Sequence, residues 1–262
     1  MCYVLMAQKK KALIIGTGLG GLATGLRLTT KGYDVEFVEK YHLPGGRLNI
    51  LEKDGFSFDM GPSFFSMSYE FKELFEYCGV ENPLVLQELN PLYAVYFENR
   101  KDPFLIYKDL QKLALEFDGI EPDLVKKTEK YLHAAGKLFH DTEDIVIKRN
   151  FESKLDYLLQ LTRVPIHHGP KMIRSMWSEL EKNFDSQEVK VIFSLVSFFL
   201  GSTPFQTPAV YSLLNYTELK HDGYWNVEGG MYKITESIVD LLKQRGAVFH
   251  YNTEITQLES AG

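Results

Sequence analysis

The pattern of apolar and polar positions is clearest near the start of the chain, where two short apolar runs flank a stretch of helical periodicity. The run from Lys11 to Gly16 is short enough for a buried parallel strand. Apolar residues then recur at helical spacing, as at Leu22 and Leu26, and Gly32 is placed to end the helix. Asp34 to Val38 is a second strand-like run. The pattern therefore predicts a strand, a helix and a second strand.

A similar order returns at the other end of the chain. Four apolar residues there share one helical face: Ile234, Ile238, Leu241 and Leu242. Gly246 is placed to end that helix, Ala247 to Tyr251 is strand-like, and 253–258 is a further candidate strand. This unit is expected to return the chain to the sheet that the first strands begin.

The region between these stretches is predicted to be mostly helical, with short antiparallel strands. The predicted hairpin covers Arg47 to Phe58, with Asp54-Gly55 as a favoured two-residue turn. The other predicted elements are a helix over Ser68–Cys78, a strand pair at Tyr93–Phe97 and Pro103–Tyr107, helices at Asp109–Glu116 and Pro122–Leu138, and a buried helix over Val191–Gly201. The fold class expected from these patterns is α/β.

Composition narrows the classes of protein. The 262 residues are 45% hydrophobic with a net charge of −6, which gives no indication of nucleic-acid binding. Cys2 and Cys78 have no metal-type spacing, and a reducing, cytoplasmic setting is the default. The apolar residues at the start of the chain come before the lysines at positions 9–11, whereas in a secretory signal the positive charges come first. The longest apolar run, Val191–Gly201, is too short to span a bilayer.

The turn after the first predicted strand carries the main candidate chemistry. Gly16, Gly18 and Gly21 follow the spacing G-x-G-x-x-G, which allows a tight turn, close approach of backbone to a pyrophosphate and close packing of helix on strand. The helix N-terminus then faces the phosphate charge. Glu39 ends the second strand, where its carboxylate accepts hydrogen bonds from ribose hydroxyls and disfavours a 2′-phosphate. The sequence predicts a dinucleotide site that is not for NADP.

Two further loops are open to more than one interpretation. In the sequence PGGR, Gly45 and Gly46 permit close approach to a ligand and Arg47 suits phosphate oxygens, but a surface turn with a solvated arginine fits as well. Gly61 and Pro62 belong to a rigid corner that either lies against a flat ring or is a plain turn.

The segment Ile145–Trp177 is rich in cations that alternate with apolar and aromatic residues. Within an acidic chain it suits an anionic membrane surface, and a solvated helix face packed on a core is the alternative. His167 and His168 are adjacent, so on a helix they do not share a face, and they are interpreted as loop histidines with no metal site. No nucleophile or acid–base constellation stands out, and no catalytic residue is assigned.

In combination, these motifs resemble those of a known family, the FAD-dependent phytoene desaturases of bacterial type, within the amine-oxidase-like flavoproteins. The resemblance runs from about residue 11 to the end. It is carried by five stretches: IIGTGLGGLATGLRL, PGGR, FDMGPS, GSTPFQTPAVYSLL and YWNVEGGMYKITESI. The tail GAVFHYNTEI matches too.

The resemblance implies an FAD site and an inserted domain. The implied FAD contacts are Gly16, Thr17, Gly18, Leu19 and Gly21 at the pyrophosphate, Glu39 at the ribose, Gly46 and Arg47 at the phosphate or ribityl side, Gly61 and Pro62 near the isoalloxazine, and Ile255 at adenine through its backbone. It implies a Rossmann-like FAD domain from 1–63 and 225–262. The inserted, mostly helical domain of 64–224 would carry a small antiparallel sheet, bind the polyene substrate and meet the membrane surface peripherally.

The implied reaction is desaturation of a phytoene-like carotenoid precursor by hydride transfer to flavin, in carotenoid biosynthesis. Three alternatives stay open: a carotenoid isomerase or retinol saturase-like flavoprotein, an amine oxidase, and a non-catalytic fragment. Members of the family are much longer, so the chain is interpreted as an N-terminal portion. Peripheral attachment to a membrane from the cytoplasm is the expected location.

Overall fold

The computed structural model describes residues 9–259 and divides the chain into two compact units. Unit 1 extends to Glu88 and resumes at Trp225, and unit 2 spans Leu89–Tyr224. The sequence had placed the inserted domain at 64–224, whereas unit 1 here includes the residues from Phe64 to Glu88. The reason is that the segment after Ser63 packs into the core of unit 1, as described below.

The elements follow one another closely along the chain. The strands of the described residues are β1 (Lys11–Ile15), β2 (Asp34–Val38), β3 (Ile50–Lys53), β4 (Phe56–Asp59), β5 (Leu86–Glu88), β6 (Tyr93–Val95), β7 (Phe104–Ile106), β8 (Trp225–Val227) and β9 (Val248–His250). The α-helices are α1 (Leu19–Thr30), α2 (Tyr69–Tyr77), α3 (Leu110–Glu116), α4 (Leu124–Thr142), α5 (Lys154–Leu161), α6 (Gly169–Ile173), α7 (Met176–Glu181), α8 (Gln187–Ser194), α9 (Leu213–Tyr216) and α10 (Lys233–Gln244).

Unit 1 is built on a three-stranded parallel sheet of order β1-β2-β9. The predicted first and last stretches of the chain thus meet at β2, with Phe37 paired to Phe249 across the ladder and their rings stacked 4.6 Å apart. Helices α1 and α10 pack on each other beside this sheet. Mixed helix and parallel sheet confirm the α/β class.

The core of unit 1 explains the displaced boundary. Leu74, Phe75 and Cys78 of the α2 region are buried in the same cluster as residues of α1 and α10, because α2 presents its apolar face to them. Strand β5 then pairs antiparallel with β8 and fastens the end of this segment to unit 1. The hairpin β3–β4 turns at Asp54-Gly55 with positive φ at both residues, as such a turn requires.

Unit 2 contains the remaining helices and one antiparallel pair, β6–β7. Helix α4 is its longest helix among the described residues, and α3 and α9 pack on it. Gly136 of α4 allows this close approach, since a Cβ there would lie 2.5 Å from the Tyr216 ring. Within residues 9–259 no helix has the length and apolar character that crossing a bilayer requires.

Three local predictions are wrong. The predicted helix over Val191–Gly201 is α-helical only to Ser194 and continues as a 3₁₀ helix, Leu195–Leu200, whose last three residues are exposed. Residues 253–258 form no strand. His167 and His168 lie in a 3₁₀ turn, not an irregular loop, and His168 is buried against Asp141. Each departure depends on tertiary packing that the local pattern does not encode.

Candidate functional site

The turn between β1 and α1 has the geometry that its glycine spacing predicts. Gly16 adopts φ +91°, and its N–H donates to the Val38 carbonyl at 2.8 Å, so the chain turns sharply at the end of the sheet. A Cβ on Gly21 would collide with the Gly16 carbonyl oxygen, so only glycine lets α1 approach the strand here. A Cβ added at Gly18 or Gly20 would meet nothing within 4 Å, and the first amides of α1 have no intrahelical partners, as at the start of any α-helix.

Glu39 is buried and bound to this turn. Its Oε2 accepts hydrogen bonds from the Thr17 amide at 2.9 Å and the Thr17 hydroxyl at 2.7 Å, and its Oε1 accepts from the Tyr41 amide at 3.0 Å. Burial raises the pKa of Glu39, but the hydrogen bonds from Thr17 and Tyr41 outweigh it and hold the pKa below its usual value. The Lys40 amide also donates to this carboxylate, so backbone groups and Thr17 together occupy the approximately four acceptor positions that a carboxylate offers.

The PGGR loop lies directly on the glycine turn. Gly18 and Gly45 form an isolated parallel bridge, in which the Gly45 N–H donates to the Thr17 carbonyl at 2.9 Å. A Cβ on Gly46 would come within 3.2 Å of the Gly18 Cα. The guanidinium of Arg47 is exposed, and no acid among residues 9–259 pairs with it. Two loops far apart in sequence therefore form one small-residue wall with a free cation at its edge.

The third loop, the corner at Gly61, closes against the second. A Cβ on Gly61 would collide with the Arg47 carbonyl oxygen, so the corner needs glycine. The start of α10 supports both loops: the Tyr232 hydroxyl donates to the Pro44 carbonyl at 3.2 Å, and the Thr235 hydroxyl donates to the Leu48 carbonyl at 3.3 Å. Helix α10 thus positions loops that lie almost two hundred residues earlier.

These loops enclose a cleft of about 700 Å³ within unit 1. That volume lies within the range of small-molecule and cofactor pockets. The cleft is lined by Gly18, Leu19, Gly20, Gly45, Arg47, Leu48, Met60, Gly61, Pro62, Phe65, Phe71, Met231 and Ile234. One end is therefore backbone-rich and polar, and the other is apolar.

The predicted site residues fall into three groups. Five of them line the cleft: Gly18, Leu19, Arg47, Gly61 and Pro62. Gly16, Thr17, Gly21, Glu39 and Gly46 lie behind or beside its wall, where they shape the turn and hold Glu39. Ile255 lies outside the cleft lining, in the partly exposed stretch after β9, which is anchored by the Thr253 amide on the Glu39 carbonyl.

Sequence reasoning missed the apolar end of the cleft. Phe65 and Phe71 pack edge-to-face with ring centroids 5.2 Å apart, and Met60 and Met231 line the same space. One member of this apolar end could have been found from the sequence, since Met60 belongs to FDMGPS, one of the stretches that carry the family resemblance. Phe71 instead looked like an ordinary core position of a helix.

Comparison with curated proteins gives relatives along nearly the whole chain. A zeta-carotene-forming phytoene desaturase from Myxococcus xanthus is 31% identical over 257 residues, covering 97% of this chain and 49% of that protein. A phytoene desaturase from Phycomyces blakesleeanus is 30% identical, covering 97% of this chain and 44% of that protein. A 4,4′-diapophytoene desaturase from Staphylococcus aureus is 29% identical, with coverage of 95% and 49%. The chain spans about half the length of these relatives.

Solved structures agree on the fold. An oxidoreductase from Methanosarcina mazei matches with a TM-score of 0.57 at 16% identity, covering 92% of this chain and 51% of that one. A triple mutant of putrescine oxidase matches with a TM-score of 0.55 at 15% identity, with coverage of 93% and 50%. At such identities the likeness concerns the fold alone.

The match to a family model shows to which family the chain belongs. The model described as flavin containing amine oxidoreductase matches residues 19–262, most of the chain. This match confirms the predicted flavin cofactor and oxidoreductase class, and the named relatives confirm the resemblance to phytoene desaturases. The chain belongs to the flavin-containing amine oxidoreductase family.

Proposed function

We propose that the complete protein is an FAD-dependent desaturase of a hydrophobic, phytoene-like polyene, and that the cleft of unit 1 holds the FAD. The observation that carries this proposal is the cleft itself, with a glycine-walled polar end and an aromatic apolar end. The desaturases among the relatives, which are up to 31% identical, support the substrate class.

The polar end of the cleft fits a pyrophosphate and a ribose. The open space at Gly18 and Gly20 leaves the first amides of α1 free to donate to phosphate oxygens, and the helix dipole favours their charge. Arg47 provides a further cation at the rim. Glu39 lies at the end of β2 beside the turn, where a ribose hydroxyl would share its carboxylate with the hydrogen bonds from Thr17 that fix it in place.

The apolar end fits the flavin ring. Gly61 and Pro62 form a rigid edge there, and Phe65 and Phe71 keep the space free of water. FAD bound there would accept a hydride from a C–H bond beside a conjugated alkene, and loss of a proton from the adjacent carbon to solvent would complete the new double bond. The residues of this chain bind and orient the cofactor. Ile255 is assigned to the adenine, which its backbone reaches from the stretch beside Glu39.

The substrate-binding and membrane-facing role belongs to unit 2 in this proposal. Helix α5 buries none of its residues, and Leu155, Leu158 and Leu159 form an exposed apolar stripe along it. Ile166 and Ile173 are 94% and 91% exposed. Exposed apolar residues at this density suit insertion into the boundary of a bilayer, from which a polyene would be taken up.

Several cations of the segment Ile145–Trp177 contribute less to attraction toward an anionic membrane than their number indicates. Arg174 donates to Glu179 at 2.8 Å, and Lys171 lies 3.9 Å from the same carboxylate. Lys148 is likewise paired with Glu143 at 3.3 Å. With these cations neutralised internally, we expect membrane binding to depend mainly on apolar contact and only weakly on salt.

The FAD site is tested with the chain itself by titrating FAD and following flavin fluorescence. Glu39→Gln should weaken binding at least tenfold, because the turn loses its charged acceptor. Glu36→Gln, on β2 three residues earlier, is the matched control: its half-exposed side chain pairs with His250 away from the turn, and the variant should bind as the wild type does. Equal affinity of all three proteins would contradict the assignment of Glu39.

The activity is tested by supplying phytoene to cells that carry the complete gene. A longer conjugated system, seen as new visible absorption bands, is the expected result. Hydrogen peroxide released from amines, with phytoene unchanged, would instead support an amine oxidase.

Membrane binding is tested by sedimentation with vesicles. Leu158→Ser should reduce binding severalfold, whereas Leu115→Ser, at an even more exposed position on α3, should not. Binding by the Leu158→Ser protein that equals wild type would refute the role given to α5.

A further inference from the structure

The C-terminal end of α4 and the following 3₁₀ turn bring three potential metal ligands together in unit 2. The Nε2 atom of His168 lies 2.8 Å from Oδ2 of Asp141, and the Nε2 atom of His167 lies 3.9 Å from the same oxygen. One donor atom from each residue lies within 4.8 Å of the other two. The His167 and His168 rings are adjacent, with centroids 4.0 Å apart.

A simple aspartate–histidine pair accounts for only part of this arrangement. The 2.8 Å hydrogen bond satisfies His168, which is buried. It does not explain why a second imidazole presents its outer nitrogen to the same oxygen at 3.9 Å, beyond hydrogen-bond distance. The His167 side chain is half exposed, and its Nε2 atom lies on the side of the ring that faces the carboxylate.

The spacing fits an ion bound between the three donors. Two donors 2.1 Å from a tetrahedral ion lie about 3.4 Å apart, between the two observed distances. Two imidazoles and one carboxylate form a donor set suited to zinc and related divalent transition metals. The half-exposed side at His167 leaves room for a water as the fourth ligand.

We propose that Asp141, His167 and His168 form a binding site for a divalent transition-metal ion of the zinc class. Binding places the ion between the two Nε2 atoms and Oδ2, and any proton shared by His168 and Asp141 passes to solvent. The site joins α4 to the segment 166–173, which carries the exposed Ile166 and Ile173. The ion would therefore hold that segment against α4.

The experiment is a zinc titration of the tag-free chain by calorimetry, with cobalt absorption as a second measure of tetrahedral coordination. We expect one saturable site. His167→Gln and Asp141→Asn should each weaken binding at least about tenfold, because loss of even an outer-shell partner costs that much. His133→Gln, an exposed histidine on the same helix, should bind zinc as the wild type does.

Lys137 gives a second test, in which a substitution should strengthen zinc binding. It lies one turn before Asp141 on α4 and acts electrostatically on Asp141 and His167. Lys137→Gln should therefore tighten zinc binding, and hydrogen exchange of residues 166–173 should slow with zinc in the wild type but not in His167→Gln. The proposal is overturned if no saturable site exists, or if His167→Gln, whose fold is checked by circular dichroism, binds zinc as tightly as the wild type.

Discussion

Glu218 gives a prediction whose magnitude follows from its surroundings. It lies in a π-helical turn, Thr217–His221, and is buried. The Tyr93 hydroxyl donates to its Oε1, and Asn215 donates a second hydrogen bond. Burial dominates over these hydrogen bonds and raises the pKa of Glu218 from 4.5 to about 7. No cation among the groups that act on it offsets the burial.

The sign of the effect follows from proton binding. Between pH 4.5 and about 7 the folded state keeps the proton on Glu218 while the unfolded state has lost it, so the free energy of unfolding falls as pH rises. At 1.36 kcal/mol for each pKa unit, the rise from 4.5 to about 7 corresponds to a loss of about 3 kcal/mol. Between pH 5 and 8 about 2.5 kcal/mol of this loss should be observed.

Glu218→Gln keeps the shape of the side chain and has no proton to lose. The assay is urea unfolding at pH 5, 6, 7 and 8, followed by fluorescence of Trp177 in unit 2 after Trp225→Phe removes the other indole. The free energy of unfolding of the wild type, minus that of Glu218→Gln, should fall by about 2.5 kcal/mol between pH 5 and pH 8. Glu129→Gln, an exposed control on α4, should give no such trend. A Glu218→Gln difference that is flat with pH would contradict the raised pKa, since Glu218 would then ionise freely in the fold.

Three further predictions concern packing and buried charge. Gly21→Ala should abolish FAD binding and lower the free energy of unfolding by about 1–3 kcal/mol, because the new Cβ collides with the Gly16 carbonyl; unchanged FAD affinity in a fluorescence titration would contradict this. Gly136→Ala should cost about 1–3 kcal/mol in urea unfolding while leaving FAD affinity unchanged, since its Cβ meets the Tyr216 ring in unit 2. Glu121→Gln should cost about 2–3 kcal/mol at pH 7, because the buried Glu121 carboxylate accepts charged and backbone hydrogen bonds. Since those bonds outweigh burial and lower its pKa, the cost should shrink in acid, and a cost that grows as pH falls would be inconsistent with this.

The elements that the sequence predicted well depend on local chemistry. The unit β1-α1-β2 follows from an apolar run, a glycine turn and a helical period, each contained within a few residues. The Asp54-Gly55 turn is equally local, because only its own backbone conformation matters. Such features need no knowledge of what packs against them.

The features that escaped prediction depend on contacts between distant segments. Leu74 and Phe75 looked like the face of any helix, and nothing local assigns them to unit 1 rather than unit 2. His167 and His168 become candidate metal ligands only because Asp141, more than twenty residues earlier in the sequence, lies beside them in the fold. The apolar end of the cleft likewise requires Phe65 and Met231 to meet.

The role of Glu39 depends both on its local position in the sequence and on contacts with a distant segment. Its place at the end of β2 is local, and it was predicted as a ribose acceptor on that ground. The structure adds that Thr17 donates two hydrogen bonds to it, so the acid also anchors the glycine turn. A substitution at Glu39 should therefore disturb the ribose end and the pyrophosphate end together, whereas a substitution at Arg47, at the exposed rim of the same cleft, should affect affinity without moving the turn.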